Sequence, residues 1–494
     1  MKRILFAGFL ICAFALVAAA QSTSGVTGTV TDPQGARVVG ATVTLTDTKT
    51  SKELTTTTDD DGVYRFVQVP PGEGYKITVT NQGFQTLVLS NITLGVGLTE
   101  THDVQLTAGN VAETVEVVDQ GGATLNTTDA SIGNVIDERR LKELPIQVRS
   151  SPAALIGLQP GVVGSNVGAG GGNRAGSVTG SRADQGNITI DGIDANDQAT
   201  GQFAATVGNA PIDAIQEFRA VSTNPDSDEG RSSGGQVELV TKSGTNEFHG
   251  NVREYNRTAK TAANSFFNNR SGTARPQLTR NQFGGSIGGP IMKDKLFFFF
   301  DLEARRDAQG ISYTRTVPLD HFRNGSLGFH NGVSGCATNA RLTTSPGCIT
   351  ILTPAQVAAL DPRGTGGNAA LLAFINSRYP RANNLNAGDG INTGGFTFNA
   401  PSRRKDETYT NRYDWNVNDK QKVFGRWNIA RRTQTDTVNS VAAQFPGDPE
   451  TSQIIVQDYA WAVGHTWVAS PTIINQATVG VSRSGLLFPT DFEP

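Results

Sequence analysis

Residues 280–305, RNQFGGSIGGPIMKDKLFFFFDLEAR, read as two long β-strands, 280–290 and 295–305, joined across the short polar turn Met292-Lys293-Asp294-Lys295. The pattern holds from about Phe248 onward, with further candidate strands at 247–256, 311–317, 406–417, 421–432, 453–468 and 473–484, eight in all. A second tight turn is Asn418-Asp419-Lys420-Gln421, and a long irregular insertion, about 318–400, separates the fourth strand from the fifth. Aromatic residues gather on these strands: Phe297 to Phe300, Tyr409, Tyr413, Trp415, Trp427, Tyr459, Trp461 and Trp467. Short turns on one side, long loops on the other and interface aromatics are marks of a transmembrane β-barrel. A soluble β-sandwich has the same periodicity.

The start of the chain bears on that choice. Lys2 and Arg3, the apolar run Ile4 to Val17 and the small residues Ala18, Ala19 and Ala20 form a secretory signal peptide over 1–20, with cleavage before Gln21. The run is too short for a membrane anchor, and Ile11 before Cys12 does not suit a lipoprotein signal. An exported chain without spanning helices crosses a bilayer only as a closed barrel. With 37% hydrophobic residues the chain is no bundle of membrane helices. Its 42 Lys+Arg against 45 Asp+Glu offer no electrostatic case for nucleic acid. In an oxidising compartment Cys336 and Cys348, set in a Gly/Ser/Thr/Pro-rich stretch, are most simply a loop-closing disulfide, with free thiols the alternative. His321 and His330 lie near them, but the spacing fits no zinc pattern, and no metal site or cofactor is expected.

Residues 22–107 alternate apolar and polar with period two, broken by turn clusters such as Asp32-Pro33-Gln34-Gly35 and Pro70-Pro71-Gly72. Six or seven short strands at this spacing make a small β-sandwich. The run Asp59-Asp60-Asp61-Gly62 has consecutive acids and a strand directly after it, so it reads as a hairpin turn rather than a calcium loop. Gly28 to Asp32, Gly40 to Val43, Thr57 to Phe66 and Pro70-Pro71-Gly72 resemble the carboxypeptidase regulatory-like domain, an accessory module.

Residues 108–122 read as a linker and 123–242 as a mixed α/β domain. Asp137 to Leu144 has helical spacing, Ser151-Pro152 opens a second short helix, and 164–180 is a Gly/Ser/Asn loop. Ile188, Ile190 and Ile193 form a strand around Asp191-Gly192, Ile212 to Phe218 reads as a helix start, and Val237 to Val240 is a last strand. Asp191, Asp194 and Asp197 suggest a cation site or, more commonly, acids accepting backbone bonds in an Asp-Gly turn.

The middle and last parts resemble a TonB-dependent outer-membrane receptor of the Oar-like type. The plug likeness is carried by Val135-Ile136-Asp137, Glu143-Leu144-Pro145, Leu158 to Val162, Ile188 to Asp194 with Asp191, Gly192 and Asp194, Ile215 to Phe218 with Glu217 and Phe218, and Glu229 to Gly235. The barrel likeness is carried by Thr241 to Gly250, Arg280 to Gly285 and Gly288 to Phe298. The resemblance implies a mainly β protein: a sandwich, a plug domain and, over 245–494, the first strands of an incomplete barrel surrounded by outer-membrane lipid. It also implies a ligand bound outside and a TonB inner-membrane complex that pulls on an extended strip, the TonB box, by strand augmentation. Glu113, Thr114, Val115, Glu116 and Val117 are similar to such boxes and stand just before the plug, so the role is carried onto them, with a last sandwich strand as the alternative.

The implied 22-stranded barrel needs about 220 residues in strands, whereas only about 250 follow Gly244, a third of them in the insertion. The chain also stops at Asp491-Phe492-Glu493-Pro494 rather than at an aromatic strand end, so a truncated or partial gene product is expected. No enzyme is expected. Gly230 to Gly234 and Gly284 to Gly288 fit G-x-S-x-G without a strand-to-helix turn, and Ser402 to Lys405 fits S-x-x-K without its partner motifs. The leading expectation is a TonB-dependent receptor; the alternative is a cell-surface binding or adhesion β-protein without transport. Carbohydrate, peptide and metal-chelate ligands all remain open.

Overall fold

The computed structural model describes residues 23–110, 114–118 and 130–489, the last with gaps at 145, 147–148, 150–152, 164–176, 182–184, 198–201, 207–209, 226–229, 231–233, 265, 271–273, 337–340, 343–344, 436–443, 449–451 and 471–472. The signal-peptide assignment, the Ser151-Pro152 cap, most of the glycine loop and the chain's last residues fall outside them.

Two sheets form the N-terminal sandwich. Its strands are β1 (Ser24–Thr31), β2 (Thr42–Asp47), β3 (Lys52–Thr57), β4 (Val63–Val69), β5 (Gly72–Thr80), β6 (Thr86–Leu94), β7 (Thr99–Thr101) and β8 (Val104–Gln105). One sheet is ordered β4-β1-β7 with β8 also on β1; the other runs β3-β2-β5-β6 and ends on β9 (Thr114–Val118), which adds parallel to β6. Alternation along each strand sends Val43, Leu45, Ile77, Val79, Ile92 and Leu94 into one apolar core. The Asp59 carboxylate accepts the N–H groups of Asp61 and Val63, closing the turn between β3 and β4. Tyr64 donates to the His102 carbonyl at 2.7 Å, and Gly28 lies under that carbonyl where a Cβ would collide.

The plug follows. It comprises β10 (Ile132–Ile136), α1 (Glu138–Glu143), α2 (Ala153–Ile156), β11 (Val162–Val163), β12 (Ser177–Val178), β13 (Asn187–Ile190), β14 (Ile193–Asp194), β15 (Asn196–Asp197), β16 (Gln202–Thr206), β17 (Ile215–Thr223) and β18 (Gln236–Thr241). Its main sheet is ordered β10-β17-β18-β13-β14, with α1 capped by the Asp137 side chain. Leu141, Leu155, Ile188, Phe218 and Leu239 are its buried centre. The helix start read at Ile212 to Phe218 is corrected: Pro211 leads into one 3₁₀ turn, Ile212–Ala214, and the rest is β17. β17 lies between two strands, and its buried positions include the charged Glu217 and Arg219 beside Ile215 and Val221, so the sequence lacks the apolar–polar alternation that marks a half-exposed strand.

The last part is one seven-stranded antiparallel sheet. Its strands are β19 (His249–Thr258), β20 (Leu278–Met292) and β21 (Leu296–Pro318), then β24 (Thr393–Asn418), β25 (Gln421–Thr435), β26 (Gln453–Ser470) and β27 (Ile473–Leu487). A short α3 (Phe266–Arg270) lies between β19 and β20. Between β21 and β24 stand α4 (Asp320–Arg323), the hairpin β22 (Leu327–His330) and β23 (Ile349–Leu352), α5 (Pro354–Leu360) and α6 (Ala369–Arg378). The count of eight strands is corrected to seven, because 295–305 and 311–317 are one strand, β21, paired with β24 without a break. The polar residues taken for an interruption, Arg306 to Gly310, continue the ladder opposite Pro401 to Lys405. The insertion is correspondingly shorter, since β24 starts at Thr393 rather than near residue 400. The sheet is open, with β19 and β27 at its edges, as the expectation of an incomplete barrel requires.

This sheet inverts the soluble pattern. Trp415, Trp427, Trp461, Trp467, Tyr413, Val463, Val479 and Val481 are exposed on one face, while Asp301, Glu303, Arg305, Thr410, Asp414, Arg426 and Asn428 are buried on the other. Apolar-out and polar-in along the same strands is the arrangement a bilayer selects. Among the described residues no helix is long and apolar enough to cross a membrane.

Candidate functional site

The plug rests on the polar face of the sheet through charges. Asp191 sits at the β13–β14 turn with φ +49°, followed by Gly192 at +77°. Asp is among the few side chains that tolerate this left-handed region. The turn aims the carboxylate at the sheet. It accepts the Thr241 N–H at 3.0 Å and the Thr241 hydroxyl at 2.8 Å, and it pairs with Arg412 Nη1 of β24 and Arg426 Nε of β25, both at 2.9 Å. Arg412 also grips Asp414, two residues along the same strand and therefore on the same face, through Nε at 2.8 Å and Nη2 at 3.1 Å. Asp414 accepts the Ser243 hydroxyl at 2.7 Å, and Arg426 donates to the Ile190 carbonyl. A second charged patch lies beside it. Arg149 holds Asp213 at 3.0 and 3.1 Å, Arg253 of β19 reaches the same Asp213 at 3.3 Å, and Arg253 grips Asp301 at 2.8 and 2.9 Å. The apolar contact between plug and wall includes Ile193 pressing on Gly480 of β27, where a Cβ would not fit.

On the turn side of the sheet the sandwich docks against both plug and barrel. Lys52 Nζ donates to the carbonyls of Asn418 and Asp419 at 3.0 and 2.7 Å, and the Asn246 N–H donates to the Lys49 carbonyl. Gln216 donates to the Pro71 carbonyl, and the Val96 N–H donates to Glu217 Oε1 at 2.8 Å. Gly97, at φ +63°, lies against the Arg219 guanidinium with no room for a side chain. Burial pushes the Glu217 carboxyl up to about 8; the Val96 N–H opposes the shift, and Glu100, Asp137 and Glu238 add to it. For Glu138 burial also disfavours charge, but Lys242 at 3.0 Å and Lys142 at 2.7 Å outweigh it and hold the group at about 2.

The residues singled out in the sequence are divided among these places. Asp191 and Gly192 form the plug seat, Glu217 faces the sandwich, and Phe218 is plug core. Asp194 accepts both the N–H and the side-chain amide of Asn196, a local turn. Thr114, Val115, Glu116 and Val117 lie in β9 on the sandwich edge, and Glu113 is outside the described residues. Cys336 and Cys348 are joined by a disulfide in the long insertion, Cα atoms 5.5 Å apart. Among the described residues no group of three or more His, Cys, Asp or Glu could hold a metal ion. Ser286 lies inside β20, so its G-x-S-x-G string is strand, not elbow. Sequence reading missed Arg412, Arg426, Asp414, Arg253, Asp213 and Arg149. A signal existed: Arg305/Asp307, Arg404/Asp406 and Arg412/Asp414 are charge pairs two residues apart within strands that carry aromatics, and such pairs share the inner face.

Residues 240–493 match the outer membrane beta barrel domain family, and residues 25–107 match the carboxypeptidase regulatory-like domain. The chain is similar to the TonB-dependent transporter Oar of Myxococcus xanthus, 31% identical over 297 residues, which is 57% of this chain and 27% of that protein. The matched stretch thus spans little more than a quarter of the relative's length. Among solved structures it is similar to the siderophore receptor PirA of Acinetobacter baumannii, with 16% identity and TM-score 0.41 over 71% of this chain and 40% of that one. The outer membrane transporter YddB of Escherichia coli gives 12% identity and TM-score 0.44 over 73% and 40%. The apolar outer face, the polar inner face and the family match over half the chain agree: this chain belongs to the outer membrane beta barrel domain family and is a protein of the outer membrane.

Proposed function

We propose that this chain works as a TonB-dependent outer-membrane receptor that binds an external ligand and admits it by energy-coupled movement of the plug. The observation that carries the reading is the plug's seat, in which Asp191 is held between Arg412 and Arg426 of the wall. A plug fixed by ion pairs can leave and return, because water and neighbouring polar groups replace such contacts more readily than they replace an apolar core. The likeness to a TonB-dependent transporter supports the same reading. In it the strip Glu113–Val117 is the TonB box, the ligand is met by the long insertion, and the chain performs no catalysis. A pull on the strip reaches the plug through 119–129 and loads the Asp191 contacts.

The test is uptake by cells with and without TonB, using a maltooligosaccharide, a short peptide and a ferric catecholate as probes. Deletion of Glu113–Val118 is expected to abolish uptake of the transported probe while surface binding persists. Uptake that continues without TonB would overturn the proposal, and binding without any uptake would favour the adhesion reading.

A further inference from the structure

β9 is held in an unusual way. Its five residues register along β6 from Thr86 opposite Thr114 to Ser90 opposite Val118, in parallel, and Ser90 donates to Glu116 at 3.1 Å. Every β9 side chain is exposed, Val118 at 58%. The chain just ahead crosses the same edge in the opposite sense, antiparallel at Phe84 and Ala108, with the Gln85 N–H on the Thr107 carbonyl and the Gly109 N–H on the Gly83 carbonyl. β9 is therefore bound to the sandwich by one edge of backbone hydrogen bonds with no core beneath it, which places it at the low end of local stability.

From this pairing we infer that the β6 edge is an internal docking strip for the TonB box, and that TonB couples only after taking the strand from β6. The inference rests on the reading of Glu113–Val117 as the box. The load path requires release. A pull on a strand still paired to β6 is borne by the sandwich, which is tied to the barrel turn through Lys52 and to the plug through Val96. Force reaches 119–129, and so the plug, only once β9 has left β6. Both states use the same kind of bond, since TonB would replace the β6 hydrogen bonds with its own ladder. The sandwich thus keeps the box ordered and engaged at rest, and sets how readily it is surrendered.

The test cross-links the pair that lies at the end of the strip, Ser90→Cys with Val118→Cys, in the membrane-embedded protein. Neighbouring strands lie about 4.7–4.9 Å apart, within disulfide reach. The probe is the purified periplasmic C-terminal domain of TonB. Oxidised protein is expected to bind it at least tenfold more weakly than the same protein after mild reduction, with both single-cysteine variants matching the reduced form. Equal binding by oxidised and reduced protein would overturn the latch, because β9 would then be offering its outer edge while docked. A companion variant, Val115→Pro with Val117→Pro, separates that result from failure of the box itself. If the variant binds TonB as well as wild type, the strip is not the box and the latch falls with it.

Discussion

Asp191 is a single carboxylate serving two wall arginines and a threonine, so the plug's hold on the barrel depends heavily on one side chain. Asp191→Asn keeps the shape and one oxygen acceptor for Thr241 but leaves Arg412 and Arg426 short of their shared counter-charge. Removing one partner of a buried ion pair costs about 3–5 kcal/mol. The variant is expected to unfold at lower temperature in detergent and to make cells more permeable to a large antibiotic; unchanged values on both counts would show that the seat is not held there. Glu217 gives a second test, on the sandwich side. Its carboxyl ionises near 8 when docked, against an ordinary 4.5, so the docked state retains a proton that the unfolded chain releases. The associated stability is full below about 4.5 and is lost as pH rises through about 8. Thermal unfolding of wild type is expected to weaken over that window relative to Glu217→Gln, which cannot titrate; parallel profiles would mean the carboxylate is charged against Val96. Charges on Glu100, Asp137 and Glu238, and the Arg219 guanidinium 3.7 Å from Glu238, surround the same point.

At the level of the strand, the barrel sheet sorts its residues by face. Val479 of β27 is 59% exposed among other apolar side chains, opposite Val463. Val479→Arg on a lipid face costs roughly 2–4 kcal/mol near the bilayer midplane, and it is expected to reduce the heat-modifiable folded fraction of the protein in outer membranes. The same change at a site of equal exposure in a soluble sandwich would leave folding unaffected. Strand alternation also decided what could be read from the sequence. The aromatics at 297–300 and the two tight turns marked the strands and their connections correctly. β21 was divided in two because Arg306, Asp307 and Gln309 look like loop residues, whereas on a wall with a polar inside they are ordinary strand positions. The start of β17 reads as a helix because Glu217 and Arg219, buried charges, replace apolar residues on one face, and the remaining Ile212, Ile215 and Phe218 fall three apart. The site was legible only from one side. The Asp191-Gly192 turn is local chemistry, but Arg412 and Arg426 lie more than 200 residues away, and only strand register brings them there.

For the molecule as a whole, the sandwich contacts the tight-turn end of the sheet and the disulfide-bearing insertion stands at the other. Cysteines introduced singly at Gln82, on the sandwich, and at Leu371, on α6, are expected to respond oppositely to a membrane-impermeant maleimide on intact cells. Leu371→Cys should be labelled, and Gln82→Cys only after the outer membrane is opened; the reverse pattern would invert the topology. The paired strands β21 and β24 register from Leu296 opposite Trp415 to Pro318 opposite Thr393. Twenty-three residues of β21 extend roughly 75 Å at about 3.3 Å each, while a crossing strand needs only about 9–11 residues. Over half of the ladder therefore rises past the lipid like a mast. It holds the helical insertion beyond the hydrocarbon zone, so whatever approaches from that end meets the insertion before it meets the lipid.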